Sequence, residues 1–243
     1  AYTSYPGGTS RLFLAAMRIS PRAHLLLNGW NNRFVASNSA RSLSGAKSHD
    51  IAKLKERLAT FGAGGDVTLD RHPTLEHIAT ITLNHPAKKN GLSGRMMVQL
   101  HDAVEQLSTR DDYNAVLLRG SVVGNVFCSG ADLEPFEQLA KEELHVMHEV
   151  MCSSLRGLSS LRAPVIAAIG GACLGGGSEL ASSCDVRFAA PGAKVGFVQA
   201  SMGLSPGWGG APFIRRALGR ARAIHFLASA KILSAPEVLE VRF

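Results

Sequence analysis

A chain of 243 residues with 46% hydrophobic and 19% charged side chains has the composition of one globular domain plus an extension, not of a disordered or fibrous protein. No uncharged apolar run reaches the ~20 residues that cross a bilayer, so a membrane span is not expected. Of the formal charge of +7, +6 belongs to the first 49 residues, which hold six basic side chains and no acid; the rest carries 20 basic against 19 acidic groups, which excludes a concentrated basic face for nucleic acid.

That leader, residues 1–49, is rich in Arg and Ser and broken by short apolar runs such as "RLFLAAM" and "AHLLLNGW". It has the composition of a mitochondrial transit peptide, the alternative being a disordered tail with no address. The chain opens on Ala1, and Met17 is its first methionine. Cys128, Cys152, Cys173 and Cys184 show no spacing suited to zinc, and reduced thiols are expected.

From residue 50 the pattern is regular. "DIAKLKERLATF" predicts a short amphipathic helix with Ile51, Leu54 and Leu58 on one face. "VTLD" and "HIATITLNHP" read as a β-hairpin closed by Pro86. "GLSGRMMVQLHDAVEQL" is helical by the spacing of Met96, Met97, Leu100, Val104 and Leu107. "NAVLLRG" is a buried strand, and "NVFCSGAD" is a strand that runs into a glycine turn. In "KEELHVMHEVMCSSLRGL" a helix aligns Leu144, Met147, Met151, Leu155 and Leu158. "APVIAAIGG" is a buried strand, "SELASSC" a helix, "DVRFAA" and "AKVGFV" strands, "GGAPFIRRALG" and "RARAIHFLAS" helices. The closing "APEVLEVRF" starts as a helix and is expected to stop without a cap. Short strands alternating with helices define an α/β domain over 50–243.

Two turns share one design. "VFCSGADL" and "CLGGGSEL" each follow an apolar strand and bend on glycine before a helix or loop. N–H groups at a helix start lack intrahelical acceptors and lie at the positive end of the helix dipole. Two such groups from separate turns, brought together, would hold a developing oxyanion. Taken singly, each turn is equally a packing device, and Glu179 in a first helical turn is favourable without any chemistry. Neither turn is a dinucleotide fingerprint or a P-loop.

The series "NHPAKKNGLSGRMM", "VFCSGADL", "PVIAAIGGACLGGGSELASSCDVRFAA" and "MGLSPGWGGA" resembles the crotonase (enoyl-CoA hydratase/isomerase) superfamily over about residues 66–240. "FVQASMGL" and the tryptophan of "SPGWGGA" resemble a decarboxylase branch of it. The resemblance implies a spiral of ββα units, assembled as a homotrimer or hexamer, that binds an acyl-CoA thioester without metal or organic cofactor. It implies that the Ala131 and Gly176 N–H groups hold the thioester oxygen, with Gly130, Asp132 and Gly175 beside them. It places Lys88 or Lys89 near a CoA phosphate, two solvated loop lysines being the plain alternative.

The resemblance also assigns one catalytic acid, Glu179. The second carboxylate of hydratases falls at Gln199, which does not titrate. This implies loss of CO2 from ethylmalonyl-CoA, and less well methylmalonyl-CoA, through a thioester enolate. Glu179 then returns the proton or places the carboxylate, and Trp208 walls the acyl pocket or is simply core. The alternatives are an enoyl-CoA hydratase or isomerase, and a non-catalytic CoA-binding or assembly subunit. The branch implies the cytosol, the leader's composition the mitochondrial matrix. Members of the superfamily continue for several dozen residues past "LSAPEVLEV", so the domain is expected to be C-terminally incomplete.

Overall fold

The computed structural model describes residues 48–62, 64–132 and 141–243. Nearly all of the basic leader lies outside the described residues, as do the side chains of Ile51 and Leu54. Residues 49–243 form one compact unit. Among the described residues no helix is long and apolar enough to cross a membrane.

Helix α1 (Ser48–Ala59) precedes the hairpin of β1 (Asp66–His72) and β2 (Leu75–Asn84), which pair antiparallel. Helix α2 (Gly94–Ser108) starts at Ser93, whose side chain accepts the Met96 N–H. Strand β3 (Ala115–Gly120) is followed by β4 (Val126–Cys128) and α3 (Lys141–Ser160), then β5 (Val165–Ile169), β6 (Ala172–Leu174) and α4 (Gly176–Ser183). Strands β7 (Val186–Ala189) and β8 (Lys194–Gly196) lead to a 3-10 turn, Val198–Met202. Helices α5 (Ala211–Leu218) and α6 (Arg220–Ser229), strand β9 (Ile232–Ser234) and helix α7 (Ala235–Val241) close the chain.

The strands sort into two sheets, in the orders β1-β2-β3-β5-β7 and β4-β6-β8-β9. Each successive pair, β3/β4, β5/β6 and β7/β8, gives its first strand to one sheet and its second to the other. Repeated with a helix between pairs, this is the expected spiral of ββα units. The consequence for the site is in the register. Strands β4 and β6 pair in parallel, with Cys128 beside Cys173, so the turns that leave their C-terminal ends emerge side by side.

The helices close over these sheets with their apolar faces. Met96, Met97, Leu100 and Leu107 of α2 and Met151, Leu155 and Leu158 of α3 are fully buried. Each such side chain contributes about 1.5–3 kcal/mol relative to exposure. Leu144 departs from expectation. It keeps helical spacing with Met147 and Met151 but is 41% exposed. The end of the chain also differs. Helix α7 carries a capping box between Ser234 and Glu237 at its start, and Arg242, at φ 63°, ends it by donating its N–H to the Leu239 and Val238 carbonyls.

All four cysteines are free and buried. Burial pushes the Cys128 and Cys184 thiols up to about 12 and Cys152 up to about 11, so they behave as apolar side chains.

Candidate active site

The two glycine turns meet. Gly130 has φ +105°, a conformation that L side chains rarely adopt, and a Cβ there would stand 3.1 Å from the Gly176 nitrogen. The backbone of Leu92 fixes the orientation of the first turn. Leu92 N–H donates to the Gly130 carbonyl at 2.8 Å, and Asp132 N–H donates to the Leu92 carbonyl at 3.0 Å. In such a parallel bridge the N–H of the intervening residue, Ala131, points to the side opposite Leu92. Gly176 opens α4, so its N–H has no intrahelical acceptor.

The second turn is locked from below by Ser178, which is fully buried. Its hydroxyl lies 2.6 Å from the Cys173 carbonyl and 3.0 Å from the Gly196 carbonyl, and it accepts the Gly196 N–H at 3.2 Å. Gly175 N–H also donates to Gly196, at 2.8 Å. The first turn is locked by Asn90, also fully buried. Asn90 Oδ1 accepts the His85 N–H at 2.8 Å, and Nδ2 donates to the Val126 carbonyl at 2.8 Å, tying the 85–91 loop to β4. Neither Ser178 nor Asn90 was singled out from sequence. Ser178 is a polar residue closing a glycine-rich run, whereas Asn90 stands in "PAKKNGLSG", where Asn-Gly signals only a turn.

Glu179 lies one turn into α4 and is 1% exposed. Its Oε1 accepts from Gln199 Nε2 at 2.9 Å and from Gly207 N–H at 3.1 Å. Its Oε2 accepts from Trp208 N–H at 2.9 Å and from Gly210 N–H at 2.8 Å. Among the described residues four donors bond the carboxylate, which suits the anion. Burial pushes its pKa above the ordinary range, and the bonds from Gly210, Trp208, Gln199 and Gly207 pull the other way. Gln199 is itself buried, and its Oε1 has no hydrogen-bond partner among the described residues.

Trp208 is 3% exposed, and its ring lies on Gly176, so the structure joins it to both the helix start and Glu179. Ala131, Gly130, Gly175, Gly176, Glu179, Gln199 and Trp208 thus form one connected cluster. The lysines lie at its edge. Lys88 pairs with buried Asp132 at 3.7 Å, while Lys89 is exposed and its carbonyl accepts the Ser129 N–H at 3.2 Å. A second polar cluster, His101, Asp102 and Glu105 on α2, already holds a cation, the Lys55 ammonium, 3.0 Å from Asp102 and 3.3 Å from Glu105.

A spiral of ββα units whose adjacent strand ends present two glycine turns beside one buried carboxylate defines a class. The profile of the enoyl-CoA hydratase/isomerase family matches residues 74–241, and the chain belongs to that family. Within it, the chain is 35% identical over 201 residues to "Ethylmalonyl-CoA decarboxylase" of Gallus gallus, covering 82% of this chain and 65% of that protein. It is 32% identical over 228 residues to "Methylglutaconyl-CoA hydratase, mitochondrial" of Rattus norvegicus, covering 93% of this chain and 72% of that one. Among solved structures, the enoyl-CoA hydratase from Bacillus anthracis superposes with a TM-score of 0.68 at 30% identity, covering 73% of this chain and 67% of that chain. The chain therefore spans somewhat under two thirds of the length of the decarboxylases it matches, 65% in Gallus gallus and 62% in Xenopus laevis.

Proposed function

We propose that this chain carries the active site of an acyl-CoA decarboxylase acting on ethylmalonyl-CoA, and less well on methylmalonyl-CoA. The observation that carries the reading is the pairing of Glu179 with an amide. Hydration uses two carboxyls to place and activate water, whereas the partner of Glu179 in this cluster is Gln199, an amide that does not titrate. Decarboxylation needs no activated water. Similarity to ethylmalonyl-CoA decarboxylases supports the same choice.

In this reading the Ala131 and Gly176 N–H groups hold the thioester oxygen. The bond from C2 to the carboxylate breaks, CO2 leaves, and the electron pair moves onto that oxygen as an enolate, where charge develops against preorganised donors. A proton carried by Glu179 then closes the C2–H bond, and Glu179 regains a proton from solvent. The four N–H donors favour release of that proton, while burial favours its retention. Trp208 limits the space for the 2-alkyl group. The reaction uses no metal or organic cofactor, and the protein works as a homotrimer or hexamer, in the cytosol.

A hydratase or isomerase remains the second reading, favoured by the similarity to methylglutaconyl-CoA hydratase along almost the whole chain. Incubation with ethylmalonyl-CoA and, separately, crotonyl-CoA tests both. Butyryl-CoA from the first, followed by mass, supports the decarboxylase; 3-hydroxybutyryl-CoA from the second with no butyryl-CoA from the first would overturn it.

A further inference from the structure

We propose that His148, on the exposed side of α3, is a positioning residue for Glu179 that acts through the single peptide group joining Gly207 to Trp208. His148 Nδ1 lies 2.6 Å from the Gly207 carbonyl oxygen. A carbonyl only accepts, so Nδ1 carries the hydrogen and donates it. The N–H of that same peptide unit belongs to Trp208, and it donates to Glu179 Oε2 at 2.9 Å. One rigid, conjugated amide therefore has the imidazole on its oxygen and the buried carboxylate on its hydrogen.

Hydrogen bonds in such a chain reinforce one another. A donor on the carbonyl draws electron density toward oxygen and makes the amide N–H a stronger donor on the other side. The geometry also confers order. The 205–210 loop supplies three of the four donors to Glu179, from Gly207, Trp208 and Gly210, and Gly207 is exposed. His148 anchors the middle of that loop to α3. Its ring is held in turn by Cys152 one helical turn on, with Sγ 3.5 Å from Nε2 and 3.7 Å from Nδ1. Gly209 closes over the same thiol, a Cβ there standing 2.9 Å from Cys152 Sγ. The charged groups acting on Cys152 at this place are Arg156, Glu149 and Glu179 itself.

Loss of the imidazole should weaken the Trp208 N–H bond and favour the protonated form of Glu179. The coupling stands on the geometry, and its effect on turnover rests on the decarboxylase reading above. The test uses the full chain as wild type, His148→Ala and His148→Asn, the last keeping an N–H donor near the Nδ1 position. Isotope-edited infrared difference spectra, with Glu179→Gln to assign the band, give the titration midpoint of Glu179; kcat and KM for loss of CO2 from ethylmalonyl-CoA give the functional effect. His148→Ala is expected to raise the midpoint by about half a unit or more and to lower kcat roughly tenfold with KM little changed, and His148→Asn to restore both. An unchanged midpoint in His148→Ala, or a change that His148→Asn does not reverse, overturns the proposal. Absence of CO2 release from the wild type sinks the decarboxylase reading alone, and the infrared midpoints then decide the role of His148.

Discussion

Trp208 lies flat on Gly176: a Cβ added at position 176 would stand 2.4 Å from the Cζ3 atom of the ring and 2.6 Å from two of its neighbours. The indole leaves no room for any side chain there, and the backbone N–H of the same residue donates to Glu179. Gly176→Ala is therefore expected to displace the ring and, with it, the loop that surrounds the carboxylate. Such overpacking costs about 1–3 kcal/mol, so the thermal midpoint should fall by roughly 3–8 °C. Turnover should fall further than stability, because the N–H at 176 moves with the ring. Adding Trp208→Leu opens the space, and the double variant should recover the midpoint of Trp208→Leu alone. A full loss of stability in the double variant, measured by calorimetry, would show that the ring is not what Gly176 accommodates.

The start of α7 makes a prediction about pH. The backbone N–H of Ser234, and after it the Lys231 ammonium and the Ser234 hydroxyl, hold the Glu237 carboxyl down at about 2. A depressed folded-state pKa means that the carboxylate's contribution is fully present above the ordinary value of 4.5 and is lost as pH falls through about 2. The side chain is exposed, so the effect is local to the helix start. The Ser234 amide resonance should titrate with a midpoint near 2 and stop doing so in Glu237→Gln. A midpoint close to 4.5 would mean the capping box is not formed in solution.

Legibility differed from one kind of feature to another. Long periodic segments declared themselves. The apolar spacing of α2 and α3 and the β1–β2 hairpin are where their patterns put them. The pairing that builds the site was not readable from periodicity. Strands β4, β6 and β8 are three residues each, too short to show an alternation, and their adjacency arises from the way consecutive strands part into two sheets. The family resemblance supplied that information where the local pattern was silent. Leu144 shows the converse: its spacing is that of a buried stripe, but it is exposed, because spacing marks a face of a helix and not what covers it. The four donors to Glu179 were also out of reach, because three are backbone groups of a loop whose sequence, "SPGWGG", specifies flexibility rather than a destination.

Asn90 is the polar residue whose loss should matter most to the fold at the first turn. It is fully buried, adopts φ 53°, and joins the His85 N–H to the Val126 carbonyl. Asn90→Ala removes the side-chain partner of both groups and places a side chain less tolerant of the left-handed region. Each orphaned group costs about 1–3 kcal/mol, so a loss of roughly 2–5 kcal/mol is expected. Urea denaturation should show this as a lower midpoint with an unchanged slope. Asn90→Asp keeps the acceptor but removes the donor, and should lie between wild type and Asn90→Ala. A loss below about 1 kcal/mol in Asn90→Ala would mean that water replaces the amide and that the loop is not fixed in this way.

In the proposed reading the amide at position 199 separates decarboxylation from hydration, and Gln199→Glu tests this. The substitution puts a second carboxyl 2.9 Å from Glu179 Oε1, where the amide nitrogen now lies. Two carboxyls at that distance share one proton, and the pair keeps it to a higher pH than either would alone. The folded variant then binds more protons than its unfolded chain above pH ~4, so its stability relative to wild type should decline as pH rises. Melting temperatures of the two proteins between pH 4 and 8 should accordingly diverge toward the alkaline end. The shared proton and the new base together restore what hydration needs. Formation of 3-hydroxybutyryl-CoA from crotonyl-CoA should rise by about tenfold or more over wild type, while CO2 release from ethylmalonyl-CoA falls by a similar factor. A variant that folds, shows the widening gap in melting temperature and still releases CO2 at the wild-type rate would show that the amide shapes the electrostatics of the site without selecting its reaction.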